Sequence, residues 1–292
     1  MEINFTKMNG LGNDYIYIDC YTKKLEIDNP SELAKFISNR HFGVGCDGII
    51  LIYRSAKADF KIRIFNIDGS EAEICGIGIG CLGKYVYDKR LANKKEITVE
   101  TLAGIKTIYL NIENRKVKTV KVDMGEPIFE AKKIPVVSRE EIVKNLEIKA
   151  YDKTFKLTCV SVGNPHAVTF VENVDEFGVE KYGAIIEKDG YFPKKTNVEF
   201  VESIDKSHIK IRAWKRDVGE VLASGTGACA AVIASIINRH AKDKIEVELL
   251  GGYLNIEWKQ ENNHIYMEGP VSSVFEGKLS QEAFEEVAKN TI

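Results

Sequence analysis

The sequence predicts an α+β fold built from two similar, strand-rich lobes. Three observations carry that expectation. The stretch Lys61 to Gly78, KIRIFNIDGSEAEICGIG, recurs as Lys210 to Gly227, KIRAWKRDVGEVLASGTG. The offset is 149 residues throughout, as between Cys75 and Ser224, and seven of the eighteen positions are identical. Short alternating apolar runs dominate the chain and helical periods are few, which suits a mainly antiparallel sheet with segregated helices. The length of 292 residues corresponds to about two domains.

Alternation marks strands at Phe5 to Cys20, Ile49 to Tyr53, Phe60 to Asn66, Glu96 to Thr101, Lys106 to Ile112 and Val117 to Val122. The second half repeats the order with Phe155 to Phe170, Asn197 to Val201, Ile209 to Trp214, Ile245 to Leu249, Tyr253 to Trp258 and His264 to Met267. Helical spacing appears at Pro30 to Arg40, Gly80 to Leu91, Gly227 to Arg239 and Glu282 to Lys289. The duplication reaches upstream: Phe5-Thr6 and Gly12-Asn13 correspond to Leu157-Thr158 and Gly163-Asn164. Each lobe is then a barrel-like sheet around one main helix. The turn signal Gly125-Glu126-Pro127 is the best boundary. It gives lobes 1–125 and 126–278, with a helical segment 279–292 packing back on the first.

Bulk properties exclude several function classes. The net charge of −2 provides no basic field for nucleic acid and no polybasic patch for a membrane surface. The start MEINFTKMNG lacks the basic and apolar regions of a signal peptide, and the small-apolar run Ala228 to Ile237 is too short to span a bilayer. Six scattered cysteines without a CxxC fit reduced thiols in a cytoplasm. No Cys/His cluster suggests a metal.

Each copy of the repeat runs strand, polar loop, Cys or Ser, Gly-x-Gly, helix. Glycine permits close backbone approach, and the amides at a helix N-terminus carry partial positive charge that suits a carboxylate. A cysteine at such an end has its thiolate favoured. Two such ends directed at one small carboxylate, with residues 75 and 224 on opposite sides, would suit proton transfer at the adjacent carbon. Donors on the carboxylate stabilise the developing enolate-like charge, and the flanking groups act as acid and base. The alternative for each copy alone is an ordinary tight turn.

At these residues the chain resembles the diaminopimelate epimerase family, over nearly its whole length. The motifs are FTKMNGLGNDY (Phe5 to Tyr15), HFGVGCDG (His41 to Gly48), FNIDGSEAEICG (Phe65 to Gly76), VGNPH (Val162 to His166), TNVEF (Thr196 to Phe200) and GTGACAA (Gly225 to Ala231). The resemblance implies two similar α+β lobes with the active site between them, homodimers, a role in lysine biosynthesis, and no cofactor or metal. It implies a small amino-acid substrate and two cysteines, one per lobe, as base and acid. Cys75 matches the first, and His166 a partner that assists it, although a histidine after Asn-Pro can equally be structural. Asn13, Asn66, Asn164 and Asn197 match substrate-binding asparagines. Arg216 matches an arginine holding the distal carboxylate, a task suited to its bidentate fork. Gly76, Gly225 and Thr226, together with Ile77 beside them, match positions whose backbone cradles the reacting carboxylate.

Four positions depart from the family pattern. Ser224 stands where the second cysteine is expected, and Lys215 replaces the glutamate before the arginine. Cys75-Gly76-Ile77-Gly78-Ile79-Gly80 replaces Cys-Gly-Asn-Gly-x-Arg, and Asp217 replaces a glycine. A serine hydroxyl is a far weaker acid than a thiol and needs an adjacent base. Cys229 lies five residues on, inside the expected helix. Lys215 should repel a substrate ammonium, or, deprotonated by burial, could serve as base for Ser224. Three functions follow: an epimerase converting LL- to meso-diaminopimelate, impaired at Ser224; a racemase or isomerase of the same fold for another amino acid or carboxylic acid; and a non-catalytic carboxylate binder.

Overall fold

The structure is a computed structural model and describes residues 2–280. The chain forms two compact units. One takes in the chain up to Val122 and again from Pro270, and the other is Asp123–Gly269.

The first unit contains β1 (Glu2–Gly10), β2 (Asn13–Asp19), α1 (Cys20–Lys23), α2 (Pro30–Ser38), β3 (Gly48–Tyr53), β4 (Phe60–Asn66), β5 (Glu71–Ala72), α3 (Gly76–Asp88), β6 (Glu96–Thr101), β7 (Gly104–Glu113) and β8 (Lys116–Gly125), whose last residues belong to the second unit. The second contains β9 (Leu146–Ala150), β10 (Lys153–Ser161), β11 (Pro165–Phe170), α4 (Val179–Ile186), β12 (Asn197–Ser203), β13 (His208–Lys215), β14 (Gly219–Val221), α5 (Gly225–Ile237), β15 (Lys244–Leu249), β16 (Gly252–Lys259) and β17 (His264–Gly269). The chain then returns to the first unit as β18 (Ser272–Ser280), antiparallel to β1. The helical segment expected over 279–292 lies outside the described residues, apart from Leu279 and Ser280 in β18.

The pairing pattern shows the duplication. In the first unit β1–β2 is antiparallel, β2–β3 parallel, β3–β4 and β4–β5 antiparallel, β4–β6 parallel and β6–β7 antiparallel. In the second, β10–β11, β11–β12, β12–β13, β13–β14, β13–β15 and β15–β16 follow the same sequence of directions. The register keeps the offset: Ile50 faces Ile64, and Glu199, 149 residues later, faces Ala213. The lobes are strand-rich and barrel-like, each with one mostly buried helix, α3 or α5. In α5, eleven of thirteen residues are buried, which its small, apolar sequence GTGACAAVIASII allows at close helix–sheet separation.

Two expected long strands are hairpins. Phe5 to Cys20 breaks at Leu11 and Gly12, with φ of 56° and 84°, where Gly10 pairs with Asn13. Phe155 to Phe170 breaks before β11, with Gly163 at φ 96°. A tight turn with positive φ reverses the chain in so few residues that the apolar alternation runs on across it. Helices α3 and α5 begin at Gly76 and Gly225, earlier than the spacing predicts, because glycine-rich first turns weaken the helical signal.

Helix α4 has no counterpart among the expected elements, and Gly183 at its middle explains why. A Cβ there would lie 2.7 Å from Cγ of Trp214, so the helix takes a poor former to let the indole pack close. Gly183→Ala should therefore lower stability by about 1–3 kcal/mol despite alanine's better propensity. Urea unfolding checks this; an unchanged or higher midpoint would refute the close-packing account.

Candidate active site

In the first unit, Cys75 caps α3. Its backbone is extended (φ −138°, ψ 103°) and its Sγ accepts the amide of Gly78 at 3.4 Å. The cap satisfies the third amide of the helix, leaving those of Gly76 and Ile77 without a partner inside the helix. These two amides, at the positive end of the helix dipole, suit a carboxylate. The Ile77 side chain is buried and turned away from such a role: its Cγ2 lies 2.6 Å from where a Cβ on Gly10 would be.

Asn13 opens β2 beside this cap. Its Oδ1 lies 3.4 Å from Cys75 Sγ, and its Nδ2 donates to Asp47 Oδ2 at 2.9 Å. Asp47 also receives the amide of Asp14 at 3.1 Å, while Asp14 is held by Lys7 at 2.7 Å. Asp47 thus fixes which end of the Asn13 amide meets the thiol. Tyr15 is fully buried; burial first, then the charge of Cys75, pushes its phenol well above the usual range, so it stays protonated. Asn66, at the end of β4, donates to Ser70 Oγ at 3.0 Å.

The cysteines separate sharply. Cys75 is half-buried and the other five are buried. Burial pushes the thiols of Cys20 up to about 11 and of Cys81 and Cys159 up to about 12. Cys229 is buried within α5, so it offers no exposed replacement at position 224. Iodoacetamide at neutral pH should modify the folded chain once, at Cys75, because reaction needs an accessible thiolate. Peptide mass spectrometry after brief treatment tests this; labelling of a buried cysteine first would contradict it.

The second unit repeats the cap. Ser224 has φ −136° and ψ 111°, and its Oγ accepts the amide of Gly227 at 3.1 Å. The amides of Gly225 and Thr226 are left over in the same way. His166 is fully buried with both ring nitrogens engaged. Nδ1 lies 2.8 Å from Glu199 Oε1, and Nε2 lies 2.9 Å from Asn164 Oδ1. Asn197 ties the strands together: its Nδ2 donates to the Pro165 carbonyl at 2.8 Å, and its Oδ1 accepts the Arg216 amide at 3.0 Å. Each end of that amide keeps one further hydrogen-bonding place.

Lys215 closes β13 opposite Gly219, and Arg216 and Asp217 form the turn beyond it. Asp217 has φ 63°, which explains why the family pattern has glycine there. The turn is anchored by buried Glu187, which takes the Asp217 amide at 3.0 Å and the Trp214 indole at 2.7 Å, and by an ion pair between Lys195 and Asp217. Asp47, Tyr15, Glu187 and Glu199 were not singled out from the sequence. Three of them sit inside or beside the quoted motifs, but only the fold shows their partners.

The family model for diaminopimelate epimerase matches residues 5–130 and 158–274. The chain is 56% identical over 277 residues to a diaminopimelate epimerase of Methanococcus maripaludis (strain C6), covering 95% of this chain and 99% of that one. It is 55% identical to a diaminopimelate epimerase of Acetivibrio thermocellus, covering 95% and 98%. Among solved structures, a probable proline racemase from Agrobacterium radiobacter K84 superposes with a TM-score of 0.75 at 13% identity, covering 98% and 95%, which shows the shared fold. The chain therefore belongs to the diaminopimelate epimerase family and is an isomerase of the epimerase type.

Proposed function

We propose that the protein inverts the α-carbon of diaminopimelate, from the LL to the meso form, by proton transfer without a cofactor. Cys75 exchanges the α-proton on one face, and position 224 serves the other face slowly because it is a serine. The observation that carries this reading is the pair of equivalent helix caps. Each leaves the first two amides of its helix without a partner inside the helix and places a thiol or hydroxyl beside them. Fixed amides stabilise negative charge as the α-proton leaves, and the capping side chain moves the proton. Asn13 orients the Cys75 thiol, and Arg216 provides a guanidinium for the distal carboxylate.

Lys215 favours a second reading, a racemase of the same kind acting on another amino acid. The family's glutamate at that position meets the α-ammonium, and a lysine reverses the local charge. A circular dichroism screen of amino acids separates the two. Meso-diaminopimelate is optically inactive, so turnover of the LL form lowers its signal towards the equilibrium value. Loss of signal with LL-diaminopimelate alone supports the first reading. Loss with a different amino acid, and none with LL-diaminopimelate, would overturn it.

A further inference from the structure

Ser224 requires a neighbouring group able to hold its proton, and the structure supplies one on β12. Glu199 is fully buried. A Cβ placed on Gly227 would lie 2.7 Å from Glu199 Oε1 and 2.8 Å from Ser224 Oγ. Both oxygens thus border one small space over the first turn of α5, with no hydrogen bond between them. Glu199 Oε1 is fixed by His166 Nδ1 at 2.8 Å, and Oε2 is buried without a hydrogen-bond partner among the described residues. A buried carboxylate with an unsatisfied oxygen is costly, so its place over the first turn of α5 calls for a role.

The other unit provides an internal comparison. The residue equivalent to Glu199 is Ile50, and its Cδ1 lies 2.8 Å from the Cβ position of Gly78, beside Cys75 Sγ at 3.2 Å. The same place is apolar next to the cysteine and a carboxyl next to the serine. A cysteine thiol reaches its reactive form unaided more readily than a serine hydroxyl, which needs a base.

We propose that Glu199 is the proton-relay partner of Ser224, an inference that rests on the epimerase reading above. Ser224 Oγ accepts from the Gly227 amide, which leaves its own hydrogen to donate. As the substrate Cα–H bond breaks, its electron pair stays on the carbon and spreads into the substrate carboxylate. The released proton goes to Ser224 Oγ while the serine proton goes to the Glu199 carboxylate. Protonation from the same face reverses both transfers: Glu199 returns a proton to Oγ as Oγ gives one to the carbon. One proton enters the serine as one leaves, so no free alkoxide forms. His166 holds the carboxyl in place.

The test compares Glu199→Gln in the otherwise unsubstituted chain and in Ser224→Cys, measuring conversion of LL- to meso-diaminopimelate. With Ser224, the substitution should slow conversion roughly tenfold or more. With a cysteine at 224, the loss should shrink to within about threefold. Glu199→Ile, which copies Ile50, gives the same comparison if Glu199→Gln does not fold. Equal losses in both backgrounds would mean that Glu199 only supports His166, and no loss would mean that it has no part; either overturns the relay while leaving the function intact. An unsubstituted chain that exchanges no α-proton of any amino acid offered would overturn the function and the relay together.

Discussion

Cys75→Ala should lower α-proton exchange of diaminopimelate in heavy water by about 10²–10⁴-fold, the usual share of a positioned acid or base. The substitution removes the half-buried thiol at the end of α3 and leaves the surrounding donors in place. Gly76 and Ile77 keep their amides, Asn13 keeps its bond to Asp47, and Tyr15 stays buried. Loss of the cap bond to Gly78 should cost about 0.5–2 kcal/mol at most, because a sulfur at 3.4 Å is a weak acceptor. Unfolding in urea separates this small loss from the loss of chemistry. Exchange at the natural rate in Cys75→Ala would remove the thiol from the mechanism.

Ser224→Cys should raise net epimerisation by about 10²-fold, while exchange on the Cys75 face changes little. The geometry permits the swap. Cys75 and Ser224 occupy equivalent caps, with φ of −138° and −136° and ψ of 103° and 111°, and each accepts the amide three residues on. The new thiol therefore enters a cap that already holds a thiol in the other unit. Net inversion needs an acid or base on each face, whereas exchange on one face needs only one. A rise in epimerisation without a matching rise in one-face exchange locates the deficit at residue 224. If neither changes, Lys215 or the choice of substrate sets the rate instead.

The repeat makes both lobes and both caps legible in the sequence. The seven shared positions between Lys61 and Gly78 and between Lys210 and Gly227 point to equivalent strand–loop–helix units, and β4–α3 and β13–α5 are those units. Hairpins at Gly12 and Gly163 were hidden because apolar alternation continues through a turn of two or three residues. Helix α4 was hidden because Gly183, the residue that admits Trp214, is a poor helix former. The site was legible where chemistry depends on residue type, as at Cys75 and Arg216. It was not legible where function depends on partners distant in sequence. Asn13 and Asp47 are 34 residues apart, and His166 and Glu199 are 33 apart, so only the parallel pairings β2–β3 and β11–β12 reveal those contacts.

The most direct test is proton NMR of LL-diaminopimelate in heavy water with the protein free of pyridoxal phosphate and added metal. The α-proton signal should fade as deuterium enters, and signals of the meso form should grow in more slowly, because Ser224 limits inversion. An α-proton signal that stays at full intensity, with the ligand bound, would contradict this mechanism.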